Sequence, residues 1–259
     1  MRRPQHHGIP SDAYPSEPIE PPSSLRAIAE VRAATQLARL GMNMPRLAWR
    51  RGHTGSRAVL VIPGIHASDT STLGLRSFLT WLGHDVRGWE LGRNRADIAD
   101  LDRLVERLEA DVERDGRPRS LVGWSLGGLI AREVARRRPD LVEQVVTYGT
   151  PVIGGAAYTI FARRFLDEDA ERAGDLVTDA PVPVPLTAIF SRADRVVSWR
   201  ACIDHHGDDV RHVEVRSTHI GMGLDPDVWR AVAEVLADPL PAKPGRRSRL
   251  RTLTPRALR

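Results

Sequence analysis

Three side chains in this sequence have the types and spacing for acyl-transfer chemistry: Ser125, Asp194 and His219. Ser125 stands in "SLVGWSLGG", between Gly123 and Gly127, where an apolar run gives way to a helical pattern that starts at Leu126. A serine hydroxyl is a weak nucleophile until a neighbouring base takes its proton and a third group orients that base. A serine on a tight strand-to-helix joint sits at backbone angles that side chains avoid. Glycines two before and two after remove the side chains that would collide. The hydroxyl then stands clear of the sheet edge, and the first N–H groups of the helix point at developing negative charge.

An acid and then a histidine should follow in chain order. Asp194 comes just after the apolar run "LTAIF", in "SRADRVVSW", where a loop carboxylate can turn toward the serine. Asp179, Asp204, Asp208 and Asp209 compete with it but follow no apolar strand as closely. Four histidines compete for the base: His205, His206, His212 and His219. His219 alone lies beyond the strand-like "VRHVEV" and before the last helix, in the loop from which a base reaches the serine. The oxyanion formed on attack needs two backbone donors. Leu126 supplies one, and the loop "VIPGIHASDTS" supplies the other, with Ile65 the better candidate and His66 the weaker. Trp124, beside the nucleophile, and His66 are expected to line the substrate pocket.

The elements that must hold these residues alternate. "AVLVI" (58–62) is a continuous β-branched run, as in a strand buried on both faces. Helical spacing follows over 72–83, with Leu75, Phe78, Leu79 and Leu82 inward. A strand is expected over 84–91, and a helix over 96–116 with Ile98, Leu101, Val105, Leu108 and Val112 on its apolar stripe. Then come a strand (120–124), a helix (126–138) stopped by Pro139, strands at 143–149, 186–190 and 210–215, and a helix opened by Asp225-Pro226. Such alternation predicts an α/β fold, a doubly wound and mostly parallel sheet with helices on both faces.

Length and charge bound the rest. The chain has 259 residues, 41% of them hydrophobic, enough for one sizeable core. Residues 1–22 hold six prolines and read as a disordered start. Residues 23–43 read as an amphipathic helix, packed on the domain in preference to lying on a membrane surface or binding a partner, and the domain is expected to run over 44–238. The net charge of +5 comes from the tail: residues 239–259 carry seven basic side chains and no acid, leaving the body at −2. The tail reads as solvated and disordered. It has no aromatic interleaving, so nucleic acid is not expected as a partner. No run approaches a membrane span, and the start lacks the apolar core of a secretory signal, which points to the cytoplasm. Cys202 is the single cysteine, so no intrachain disulfide forms, and it reads as a packing residue. No clustered ligand spacing suggests a metal or an organic cofactor.

In "VLVIPGI", "GWSLGG", "YGTPVIGG", "SRADRVVSW" and "STHIGMGLDP", taken in this order, residues 56–238 resemble the α/β-hydrolase superfamily and within it the bacterial lipases and esterases. "GWSLGG" is also similar to the elbow of methyl-esterases acting on carrier-protein-bound acyl chains. The resemblance implies a serine hydrolase cleaving carboxylic esters, with a lipid-like small-molecule substrate and a short helical cap over about 151–184. There Ala157, Ile160, Phe161, Phe165 and Leu166 form an apolar stripe that fits a lid over an acyl pocket and equally a plain packing helix. One departure is local: many lipases carry His-Gly before the oxyanion residue, and here it is Pro63-Gly64 with His66 displaced. An acyltransferase or thioesterase would use the same residues with a different acceptor or leaving group. A silent binding module would keep the fold without the reaction, and the intact Ser-Asp-His set argues against it.

Overall fold

The computed structural model describes Met42 and residues 56–153, 180–207 and 210–240. The proline-rich start, the rest of the segment 23–43, residues 154–179 of the expected cap and the tail from residue 241 lie outside the described residues, as do Asp179, Asp208 and Asp209.

Among the described residues six strands form one parallel sheet: β1 (Ala58–Ile62), β2 (Asp85–Gly88), β3 (Arg119–Trp124), β4 (Val142–Tyr148), β5 (Leu186–Ser191) and β6 (Val210–Val215), in the spatial order β2-β1-β3-β4-β5-β6. Among the described residues three α-helices connect strands, α1 (Asp69–Trp81), α2 (Ile98–Asp115) and α3 (Leu126–Arg137), and a fourth, α4 (Pro226–Ala237), follows β6. Side chains alternate across the strands, so each central strand feeds two cores. Leu60, Ile62, Leu121 and Val145 pack with α2 and α3 on one face. Val59, Val61, Val122, Val146 and Tyr148 pack with α1 and α4 on the other. The doubly wound sheet that the alternation predicts is therefore present. β2 and β6 are the edge strands of this sheet, and in β6 Arg211 and Glu214 are exposed while Val210, His212 and Val215 are buried.

Two boundaries differ by three residues from the sequence reading, and Asp69 is involved at both. α1 begins at Asp69 rather than residue 72, and β2 ends at Gly88 rather than residue 91. The Asp69 side chain accepts the backbone N–H groups of Trp89 (3.0 Å) and Glu90 (2.9 Å), turning the chain away from the sheet where Glu90 takes a positive φ of 57°. The buried stripe of α2 also differs. Leu101, Leu104 and Leu108 are fully buried, Val105 and Val112 only partly, and Ile98 is exposed. Asp111 faces inward because the buried guanidinium of Arg119 and the Arg87 side chain both reach it. α2 is capped at its start by Asp97, which accepts from the Ala99 N–H, and at its end by Gly116 in the left-handed conformation.

The strand order sets the position of any site. From β1 the chain passes first to β2 on one side and later to β3 on the other. The helix after β1 covers one face and the helix after β3 covers the opposite face. Their loops diverge at the carboxyl ends of β1 and β3, the switch point where an open parallel sheet usually takes its ligand.

At the opposite end of the sheet His84 is buried, and its Nδ1 accepts the backbone N–H of Arg57 (3.2 Å). Burial, and then the charge of Arg57, hold its pKa below the ordinary histidine value. As pH falls through that ordinary value the unfolded chain takes up a proton here and the folded chain does not. Stability is therefore lost on acidification, down to the lowered native value. A His84→Gln chain should lose less of its thermal midpoint between about pH 7 and 5 than the wild type. The gap between the two melting curves should narrow as the pH drops.

Candidate active site

Ser125 occupies the joint between β3 and α3 with φ 52° and ψ −121°, a conformation that a non-glycine residue holds only when its surroundings over-determine it. Its N–H donates to the Tyr148 carbonyl (2.9 Å), and its carbonyl accepts from Gly128 N–H (2.9 Å) and from the Thr150 hydroxyl (3.0 Å). The two flanking glycines are required by close approach. A Cβ on Gly123 would lie 2.4 Å from the Gly127 carbonyl oxygen, and one on Gly127 would lie 2.4 Å from that of Ile62. No side chain fits at either position, so the helix starts directly against the strands.

Asp194 follows β5 in a loop that its own carboxylate closes. Oδ1 accepts the N–H groups of Val196 and Val197, both at 2.8 Å. Oδ2 stands 2.7 Å from Nδ1 of His219. The other ring nitrogen, Nε2, stands 3.1 Å from Oγ of Ser125. Beside a carboxylate the proton resides on Nδ1, which leaves Nε2 as the acceptor for the serine hydroxyl. Asp194 and His219 are both buried. The imidazole is flanked by the Trp124 ring, 5.9 Å between centroids, and by Gly149, whose α-carbon position leaves only 3.1 Å between an added Cβ and the ring. The structure thus brings together Ser125, Asp194 and His219 in one hydrogen-bonded chain.

The competitors are elsewhere. Asp204 is fully buried in an ion pair with Arg132 of α3 (2.5 Å). Burial opposes its charge, but Arg132 together with the His206 N–H holds the carboxyl below the usual range. His212 lies within β6, where Nε2 accepts the Asp204 N–H (3.0 Å). Cys202 is buried in the cluster of Phe190, Val196, Val197, Ala201 and Ile203, and burial followed by the nearby Asp194 charge pushes its thiol pKa well up. It is a packing residue, as its sequence context suggested.

The remaining residues of the sequence reading divide. Leu126 opens α3, and Ile65 lies in the loop after β1. Among the described residues no acceptor is paired with the backbone N–H of either. The loop lies against the serine: a Cβ on Gly64 would be 3.4 Å from both Ser125 Cβ and the Trp124 ring. Trp124 is half-buried and stacks on Tyr148, with 6.4 Å between centroids and planes 6° apart. His66 is exposed at a positive φ of 57°, and what the loop uses is its backbone, whose N–H donates to the Asn94 carbonyl (2.7 Å).

Sequence reasoning missed Ser191. Its hydroxyl oxygen accepts the N–H of Ala193 and the N–H of Ser217, both at 3.1 Å, and so ties the Asp194 loop to the His219 loop. A serine at the end of an apolar strand gave no signal for that.

The same fold recurs in solved structures. A metagenome-derived lipolytic enzyme, from work on LipS and LipT, superposes with a TM-score of 0.55 at 17% identity, over 70% of this chain and 94% of its own. A monoacylglycerol lipase of Paleococcus ferrophilus gives 0.52 at 16%, over 71% and 96%. Polyneuridine aldehyde esterase, in a mutant form, gives 0.51 at 15%, over 70% and 99%. The chain has the α/β-hydrolase fold. No protein-family model matches its sequence, and a search of curated proteins finds no match. In this α/β-hydrolase fold the serine stands at the switch point between β1 and β3, with the acid loop after β5 and the histidine loop after β6.

Ser191→Ala removes the shared acceptor and leaves the Ala193 N–H and the buried Ser217 N–H without it. Denaturant unfolding should show a loss of about 1–3 kcal/mol, the usual cost of stranding buried donors. An unchanged midpoint would mean that the two loops are held by other contacts.

Proposed function

We propose that the protein is a serine hydrolase of carboxylic esters that works through an acyl-enzyme. The observation that carries this reading is the Ser125–His219–Asp194 hydrogen-bonded chain, set beside two N–H groups that have no acceptor among the described residues. Ser125 Oγ attacks the ester carbonyl carbon while His219 Nε2 takes its proton. Asp194 stabilises the imidazolium and keeps the ring in register. The oxyanion receives the Leu126 and Ile65 N–H groups. The leaving alcohol departs with the proton from His219, and water then repeats the sequence on the acyl-enzyme. The activities named for the three similar proteins agree with this reading.

The acyl side is proposed to be hydrophobic. The half-buried Trp124 ring, stacked on Tyr148 and next to His219, offers the acyl group an apolar surface. A cap over residues 151–184 belongs to the same proposal.

Hydrolysis of p-nitrophenyl esters from acetate to palmitate, beside labelling by a fluorophosphonate probe, tests the reading. Ser125→Ala should abolish labelling and lower kcat by about 10⁶. Asp194→Asn should lower kcat by about 10⁴, because the histidine then favours the wrong tautomer. A folded wild type that neither turns over any ester nor takes the probe would refute the proposal.

A further inference from the structure

Asn94 lies in the arginine-flanked loop "GRNRA" after β2, far in sequence from any residue of the Ser-His-Asp chain, yet it is completely buried. All four of its polar groups are used, and three reach one short segment. Its backbone N–H donates to the Ala67 carbonyl (2.9 Å), and its backbone carbonyl accepts the His66 N–H (2.7 Å). Its side-chain Nδ2 donates to the Pro63 carbonyl (2.8 Å), while Oδ1 accepts the Ala96 N–H (3.1 Å) and so fixes the amide. Arg93 adds a hydrogen bond to the His66 carbonyl (3.0 Å).

The segment clasped is residues 63–67, which carries the proposed second oxyanion donor. Its other bonds are internal: the Ala67 N–H closes a turn onto the Gly64 carbonyl (3.2 Å). Such a turn with a positive φ at its third residue usually calls for glycine there, and here it is His66 at 57°. The Asn94 carbonyl, by accepting the His66 N–H, supports that strained peptide orientation. The carbonyls of Pro63, Gly64, His66 and Ala67 and the N–H groups of His66 and Ala67 are thus all paired. Among the described residues the N–H groups of Gly64 and Ile65 are left over, on a loop pressed against the nucleophile by the Gly127 contact, where an added Cβ would lie 2.6 Å from the Pro63 oxygen.

We infer that Asn94 is a positioning residue that presets the oxyanion donor of Ile65 by holding the 63–67 loop from behind. It touches neither substrate nor reacting atoms. It acts through the loop, so the donor needs no reorganisation when charge develops on the carbonyl oxygen. This rests on the serine-hydrolase reading and assigns a residue that the reading itself does not require.

The test uses the full chain and counts active sites by fluorophosphonate titration, so that misfolded molecules drop out. Asn94→Ala should lower kcat per titrated site about 10- to 100-fold, as a misplaced catalytic group does. KM should stay within about threefold, and the affinity for an aryl boronic acid, which forms the tetrahedral adduct on the serine, should weaken by a similar factor. Should that variant fail to fold, Asn94→Asp keeps the shape and the acceptor. Its carboxyl can donate to Pro63 only when protonated, so relative to wild type its kcat should recover as pH falls. Per-site kcat within twofold of wild type in the folded variant, or a loss equal at all pH values for Asn94→Asp, overturns the inference. A wild type that takes no probe and cleaves no ester instead overturns the underlying function, a different result from the same experiment.

Discussion

The structure depends on one backbone conformation, the positive φ of Ser125. A residue other than glycine reaches such angles only at a cost of order 1–3 kcal/mol, and something must hold it there. Here the neighbours leave it no alternative. The N–H of Ser125 is bonded to the end of β4, its carbonyl to Thr150 and the first turn of α3, and the chain on either side meets backbone at Gly123 and Gly127. Because β3 is central in the sheet, both of its neighbours are strands, and the strain is spread across β1, β3 and β4 rather than met by one loop.

The rest of the site is arranged around that fixed point from three loops. The loop after β1 brings the proposed backbone donor, the loop after β5 a carboxylate, and the loop after β6 an imidazole. Each is stiffened by a polar group that does no chemistry in the proposed reaction: Asn94 for the first, and the shared hydroxyl of Ser191 for the other two. The buried Arg132–Asp204 pair adds a tie between α3 and the chain beyond the acid loop. A buried ion pair is weak evidence for stability, since desolvation consumes most of its attraction. Its geometric effect is firmer, for it fixes where the 199–207 stretch lies relative to the helix that starts at the nucleophile.

What the sequence disclosed follows from range. The buried parallel strands announce themselves as β-branched runs, and the glycines around Ser125 announce a close approach, because both are local patterns. The Ser125–His219–Asp194 proximity was legible through chain order and through the end of the sheet at which each loop emerges. Asn94 and Ser191 were not, because a polar residue in a loop or at a strand end looks the same whether it faces water or braces another loop. The α2 stripe was misjudged for a related reason: Asp111 is an ordinary surface carboxylate until Arg119, eight residues on and in another element, is placed beneath it. Asp69 likewise ends a strand that lies later in the chain, which no window around β2 contains.

Cys202 carries one further consequence. It is the only thiol in the chain, it is sealed in the small cluster under the acid loop, and its deprotonation is strongly opposed by burial. A thiol in that state does not react with an alkylating reagent while the cluster is closed. The rate at which the intact protein takes up such a reagent is therefore set by how often the Phe190–Ile203 region opens. The molecule carries its own clock for local unfolding beside Asp194, readable without a label or a substitution.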